Sequence, residues 1–200
     1  VEDGRWPAKA VPGEVIPIRA TVFREGHDRF GATAVLVRPD GTDGPSARMV
    51  EILPGLDRYE ARLAADAPGA WSFCVDSWSD PYATWRHDAT VKVGAGVDVE
   101  LMLEEGALLM ERAAEGTAYG SPSQDRPPAS DIEVLTDAAR RLRDTSHSAQ
   151  QRLSAGISSR VRLIFRDHPL RDLLDSSRVY PLDVARTKAL AGAWYEIFPR

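Results

Sequence analysis

Six short segments in the first half of the chain alternate apolar with polar residues, and turn-forming Gly, Pro and Asp residues separate them. This pattern is typical of strands that bury one face, and none of the segments has a helical period. They are residues 15–23, 32–39, 47–54, 57–65, 70–79 and 89–96. Trp71, Phe73 and Val75 share one face of the fifth segment, and Trp71 is expected in the core. The series predicts an immunoglobulin-like antiparallel β-sandwich.

The pattern changes near Val97, where apolar residues begin to recur at helical spacing. Helices are predicted over residues 98–115, 131–145, 149–165 and 169–176. Short loops between amphipathic helices predict a small antiparallel bundle. The stripe of Leu101, Leu108 and Met110 in the first of these helices is most simply bundle core. Any part of that stripe left exposed would attract a partner.

The predicted fold class is therefore mostly β with a helical subdomain. The β-sandwich is expected over residues 1–97 and the helical bundle over residues 98–177. Strand-like residues return near 178–188 and could complete the sandwich. The bundle is then either inserted into the sandwich or appended to it.

Composition argues against several classes of partner. The formal net charge is −5, and basic residues are interleaved with acidic ones rather than gathered in a block. A nucleic-acid-binding protein would carry a basic face, so neither nucleic acid nor an anionic membrane is expected as a partner. The single cysteine, Cys74, lies in an apolar run and is expected to be a buried, inert thiol. A cytoplasmic location is expected.

No motif in the sequence supplies a catalytic centre, a metal site or a cofactor site. Glu104 and Glu105 are adjacent on a predicted helix, so their side chains diverge by about 100°. Glycosidase chemistry instead needs two carboxyl groups that face each other across a cleft. The four histidines are scattered without metal-ligand spacing. The residues predict a binding, scaffolding or assembly module with no catalytic residue, no metal and no cofactor.

The segment DSWSDPYATWRHDA, residues 76–89, is the candidate contact site because aromatic and charged residues crowd together in it. The candidate residues for an interface or a carbohydrate contact are Trp78, Asp80, Tyr82, Trp85, Arg86 and His87. Three interpretations are open, in this order of preference. The segment packs against another domain or subunit, one or more of its aromatic residues belong to the sandwich core, or it forms a platform that stacks on glucose rings.

Two details refine this prediction. Trp78 lies on the opposite strand face from Trp71, and Pro81 limits strand pairing, so Trp78 is expected outside the main core. Arg86 and His87 are expected at the rim of an interface. There they could reach a neighbouring active site or its phosphate.

Four stretches match a known protein family in their order and spacing. They are GRWPAKAVPGEVIPIRATVFREGHD, WSDPYATWRHDATVKVGAGVDVELMLEEGALLMERAA, HPLRDLL and AGAWYEIFPR. Together they resemble the N-terminal region of the bacterial α-1,4-glucan:maltose-1-phosphate maltosyltransferases. That family is a branch of the α-amylase-type glycoside hydrolase superfamily, and the resemblance covers nearly the whole chain.

The resemblance implies an N-terminal β-sandwich, a helical subdomain and a homodimer to which both parts contribute. It also implies that the full-length protein transfers maltosyl units from maltose 1-phosphate to the non-reducing end of α-1,4-glucans. The catalytic carboxylates of this family lie in a (β/α)₈ barrel, and residues 189–200 are expected to lead into it. No catalytic residue is assigned to this chain, which is expected to be inactive by itself.

Two other classes of function stay open. A free-standing carbohydrate-binding β-sandwich would bind glucan with no catalytic domain. A non-enzymatic helical adaptor would bind a protein partner and would not respond to sugar.

Overall fold

Strands and helices separate into two units, each with a hydrophobic core of its own. The computed structural model describes residues 5–23, 25–26, 28–53, 55–116 and 126–191. The first unit, called the β unit below, contains Val1–Phe23, Ala32–Ser77 and Asp175–Arg200. The second, called the helical unit, contains Arg24–Gly31 and Trp78–Leu174.

Nine strands lie within the part of the chain that the structure describes. They are β1 Ala8–Ala10, β2 Ile16–Thr21, β3 Phe30–Val37, β4 Asp43–Arg48, β5 Val50–Leu53, β6 Arg58–Leu63, β7 Gly69–Ser79, β8 Asp172–Ser176 and β9 Tyr180–Val184. One sheet has the order β1-β9-β7-β3-β4, with β8 also paired to β7, and the other has the order β2-β6-β5. A 3-10 turn follows at Thr187–Ala191.

The two sheets of the β unit share one core, as a sandwich requires. In β2 the side chain of Ile18 is buried while its neighbours Pro17 and Arg19 are exposed, so the alternation in the sequence corresponds to an inner and an outer face. Ile18 pairs with Ala61 of β6. Trp71 of β7 is buried in the same core, as the sequence predicts.

Five helices are described in the helical unit. They are α1 Pro81–Ala95, α2 Val99–Glu115, α3 Ala129–Leu142, α4 Ala149–Gly156 and α5 Ser159–Asp167. Each contributes apolar side chains to one cluster, in which Leu103, Leu135, Leu142 and Leu153 are fully buried. None of the described helices is both long and apolar enough to cross a membrane.

The predicted fold class, a β-sandwich with a helical subdomain, is confirmed by this arrangement. One strand pair departs from the antiparallel rule, because β1 and β9 run parallel. β9 lies within the 178–188 range in which a completing strand was suggested. The immunoglobulin-like type stays a prediction.

Four predicted elements differ from the structure. The single strand predicted at 47–54 is wrong, since residues 47–48 end β4 whereas Val50–Leu53 forms β5 of the other sheet. The strand predicted at 89–96 is wrong, since these residues form the second half of α1 and its C-cap. The helix predicted at 169–176 is also wrong, since this region contains β8, which pairs with β7. The helix predicted at 149–165 is divided into α4 and α5, because the Ser158 side chain caps a new helix by accepting a hydrogen bond from the Val161 N–H.

The units also divide at other residues than the sequence suggested. The helical unit takes in Trp78 and α1, which the predicted boundary at residue 97 assigns to the sandwich. It ends at Leu174, and the chain then returns to the β unit. Most of the predicted lead-in at 189–200 lies outside the described residues, which end at 191.

Candidate functional site

The candidate segment begins α1 with a strong N-terminal signal. The Asp80 side chain accepts a hydrogen bond from the Ala83 N–H at 2.8 Å, and Pro81 occupies the first helical turn. Proline fits there because the first N–H groups of a helix have no intrahelical partner. Asp80 is buried, so the structure places this predicted contact residue as the N-cap of α1.

Trp85 lies in the core of the helical unit, facing α2 and α4. Its indole Nε1 donates a hydrogen bond to the Met102 carbonyl oxygen at 2.7 Å. A Cβ atom at Gly106 of α2 or at Gly156 of α4 would overlap carbon atoms of the Trp85 ring. The two glycines therefore leave the space that the indole fills, and Trp85 is only 5% exposed.

Tyr82 is buried one turn earlier on the same face of α1. Its ring stacks on Phe165 with centroids 3.9 Å apart, and its hydroxyl donates to the Gly156 carbonyl oxygen at 3.1 Å. Burial raises the pKa of the Tyr82 hydroxyl to about 12, although Arg86 and Arg162 act to lower it. The hydroxyl is thus a neutral structural donor at physiological pH.

Trp78 is 2% exposed and lies outside the core of the β unit. A Cβ atom at Gly31 would overlap the Trp78 ring, so the ring lies directly on the backbone there. The Arg171 guanidinium carbon lies 4.8 Å from the centroid of the same ring, within cation–π range.

These positions divide the candidate residues into two groups. Trp78, Tyr82 and Trp85 are all buried, Tyr82 and Trp85 in the core of the helical unit and none of the three in the sandwich core. Arg86 and His87 are exposed on the outer side of α1. Contact with a partner or with carbohydrate stays a prediction for the segment. Within it, the side chains of Arg86 and His87 lie outside the core.

The apolar stripe of α2 is only partly buried. Met110 is fully buried, whereas Leu101 and Leu108 are 54% and 53% exposed. Leu101 and Leu108 are seven residues apart, so they lie on the same face of α2 two turns from each other. This is the exposed remainder of the stripe that the sequence suggested as a partner contact.

A cavity of about 640 Å³ lies beside Leu108 in the helical unit. Its apolar lining includes Trp85, Leu109 and Leu173, and its acidic lining includes Asp88 and Glu105. Leu173 is 70% exposed. Sequence reasoning missed this cavity, because Leu173 reaches it from a segment predicted as a helix.

Acidic residues of α2 serve as ion-pair partners between helices. Glu104 and Glu111 both accept hydrogen bonds from the Arg143 guanidinium, and these bonds lower the pKa of each carboxyl. Glu100 binds Arg152 through both carboxylate oxygens at 2.8 and 2.9 Å. Their role is to join α2 to α3 and α4.

Metal ligation and thiol chemistry are two further possibilities for a reactive site. No cluster of three His, Cys, Asp or Glu side chains that could hold a metal ion occurs among the described residues. Cys74 is a free, half-buried thiol, and burial raises its pKa, which disfavours the reactive thiolate.

Comparison with known proteins gives one consistent match. A family model described as alpha-1,4-glucan:maltose-1-phosphate maltosyltransferase, domain N/S, matches residues 1–186. Alpha-1,4-glucan:maltose-1-phosphate maltosyltransferases 1 and 2 of Streptomyces coelicolor are each 49% identical over 200 residues, which is all of this chain and 28% and 29% of their own lengths. The Mycobacterium tuberculosis protein of the same name is 37% identical over 225 residues and is matched over 30% of its length.

Proposed function

The chain belongs to the N/S-domain family of the α-1,4-glucan:maltose-1-phosphate maltosyltransferases, and on that premise we propose that it is the non-catalytic scaffold and dimerisation region of such an enzyme. The match over residues 1–186 is the single observation that carries the proposal. The chain spans less than a third of the length of the relatives named above.

In this proposal the full-length protein transfers maltosyl units from maltose 1-phosphate to the non-reducing end of an α-1,4-glucan. Retention of configuration needs a carboxylate nucleophile and a carboxylic acid/base about 5 Å apart. We assign both to a (β/α)₈ barrel outside this chain. In support, Glu104, Glu111 and Glu100 of α2 are engaged in ion pairs between helices. A cytoplasmic location, compatible with the free thiol of Cys74, is part of the same proposal.

The dimerisation role is supported by the exposed face of α2. The helical unit has a hydrophobic core of its own, yet α2 keeps Leu101 and Leu108 more than half exposed on one face. Exposed apolar residues that share a face are typical of a protein contact. We propose that this face contacts a second copy of the protein in the homodimer. Trp78, Tyr82 and Trp85 of the candidate segment are buried, so no observation at that segment specifically supports a glucan platform as a second function.

The double substitution Leu101→Ser and Leu108→Ser tests this contact in the full-length protein. Each leucine fully buried at an interface contributes roughly 1.5–3 kcal/mol, so the dimer dissociation constant is expected to rise at least about tenfold. Analytical ultracentrifugation over a range of concentrations measures it, and circular dichroism checks that the helices persist.

Leu163→Ser is the matched control, because Leu163 is a partly exposed leucine on α5 of the same unit. It is expected to leave the dimer unchanged. A protein that is monomeric throughout, or a dimer indifferent to the double substitution, would contradict the dimerisation role.

A further inference from the structure

A second cavity in the helical unit is lined by basic rather than acidic residues. It has a volume of about 580 Å³, and Arg29, Arg86, His87 and Arg162 contribute to its wall. No Asp or Glu is among its described lining residues. The chain as a whole has a net charge of −5, so this cavity differs in sign from the whole.

The arginines that line this cavity differ from nearby arginines in the groups that they bind. On α5, Arg160 pairs with Asp131 and Arg166 pairs with Asp167. Arg162, between them, donates instead to the neutral Ser159 hydroxyl at 3.2 Å. Within the described ranges, none of the ion pairs involves the guanidinium of Arg29, Arg86 or Arg162. Their charge is thus available to a ligand.

Rigid elements hold these side chains around one space. Arg86 and His87 follow Trp85, whose burial fixes that turn of α1. The backbone N–H of Arg29 donates to the Thr84 hydroxyl at 2.8 Å, which ties Arg29 to the first turns of the same helix.

Arg86 and Arg162 come from different helices, yet both act on the Tyr82 hydroxyl, where each lowers the pKa against the effect of burial. Arg86 and Arg162 also line the same cavity, so both positive charges belong to its wall.

From this geometry we propose that Arg29, Arg86, His87 and Arg162 form a binding site for a phosphate group. A guanidinium presents two N–H groups that match two phosphate oxygens, and three guanidiniums can surround one dianion. The cavity is larger than a phosphate ion, and Ile157 and Ala83 give it an apolar wall. It can take either free inorganic phosphate or the phosphate end of a sugar phosphate.

The site rests on the cavity and not on the proposed function. Binding of phosphate by the 200-residue chain needs no catalytic barrel and no dimer. A failure to bind phosphate would leave the scaffold role untouched, and a monomeric or unrelated protein could still carry this site.

Calorimetric titration of the 200-residue chain at constant ionic strength tests the proposal. The probes are inorganic phosphate, maltose 1-phosphate and neutral maltose. We expect saturable binding of one phosphate group per chain and no binding of maltose. Tighter binding of maltose 1-phosphate than of phosphate assigns the site to sugar phosphates, and equal affinities assign it to the free ion.

The double substitution Arg86→Ala and Arg162→Ala is expected to weaken phosphate binding at least about tenfold, since hydrogen bonds to charged groups are each worth about that factor or more. Arg166→Ala is the matched control, because it removes a positive charge from α5 whose guanidinium is already paired with Asp167. Absence of saturable binding, or equal loss in the Arg166→Ala variant, would overturn the proposal.

Discussion

Trp85 fills a space that exists only because two neighbouring helices carry glycine beside it. Gly106 of α2 and Gly156 of α4 both approach its indole ring more closely than any Cβ atom would permit. Glycine in a helix costs roughly 1 kcal/mol relative to alanine, so the packing of Trp85 has to offset that cost. The burial of the Trp85 ring thus depends on a close fit to glycines on two other helices.

Gly106→Ala is expected to destabilise the protein, although alanine has a higher helix propensity than glycine. The propensity gain of about 1 kcal/mol is opposed by overlap with Trp85, and overpacking of this kind typically costs about 1–3 kcal/mol. The overlap involves a large, buried ring that cannot move without disturbing the core, so we expect a net loss of free energy of unfolding. Urea denaturation followed by tryptophan fluorescence measures it.

Gly94→Ala is the control for this prediction. Gly94 lies in α1, and a Cβ atom there would meet no atom within 4 Å. Only the helix propensity changes at this position, so the free energy of unfolding is expected to rise by up to about 1 kcal/mol. If both substitutions stabilised the protein equally, the proposed fit between Gly106 and Trp85 would be wrong.

The signal for α1 was present in the sequence, but a competing pattern obscured it. Asp80-Pro81 is a capped helix start, and Tyr82, Trp85, Ala89 and Val93 follow at spacings of three and four residues. The β-branched residues near Val93 also alternate, and β-branching favours strands. The spacing of three and four residues prevails over the alternation, because these four residues all pack in the core of the helical unit.

β8 could not be predicted from local pattern in the same way. The preceding Pro169 is compatible with a helix start, and the residues that follow have no clear alternation. The strand forms because it pairs with β7, about 100 residues earlier in the chain. For example, the Ser176 hydroxyl donates to the Asp76 carboxylate at 2.6 Å. Such distant pairing leaves no local trace, whereas α2 and α3 show theirs in the spacing of apolar residues.

The contact between α2 and α3 carries a prediction about pH. Arg143 joins Glu104 and Glu111, and the hydrogen bonds lower the pKa of both carboxyls below their ordinary value of 4.5. A carboxyl whose pKa is lowered by folding stabilises the fold fully above its unfolded pKa, and this stabilisation is lost as pH falls through the folded pKa. Arg143→Ala is therefore expected to reduce stability at pH 7 and to have a diminishing effect below pH 4.5.

The expected loss is small, about 0.5–1 kcal/mol at pH 7, since these side chains are half exposed and screened by water and salt. Arg141→Ala is the control, because Arg141 pairs with Asp137 within α3 and not across helices. A loss of roughly 0.3 kcal/mol is expected for it. Urea denaturation at several pH values measures both, and a difference between them that did not change with pH would refute the assignment.

For the whole molecule, the sequence predicted the kind of architecture better than its boundaries. Alternation and helical spacing are local, and they indicated both the β part and the helical part. The division at Trp78 and Leu174 depends on which residues lie close together in the folded chain, and no local sequence pattern contains that information. The same limit applied to the candidate site. The aromatic residues of this segment suggested a contact surface. Only the packing of Tyr82 and Trp85 against Phe165, Gly106 and Gly156 shows that these two are buried.

We propose that this chain supports catalysis in the full-length protein without performing it. The most direct measurement incubates the purified 200-residue chain with maltose 1-phosphate and an α-1,4-glucan and follows the release of inorganic phosphate. A full-length relative, such as a Streptomyces coelicolor maltosyltransferase, serves as the positive control. Phosphate release is expected from the relative, and none above the uncatalysed background is expected from the chain. Sustained phosphate release by the chain alone would contradict this proposal.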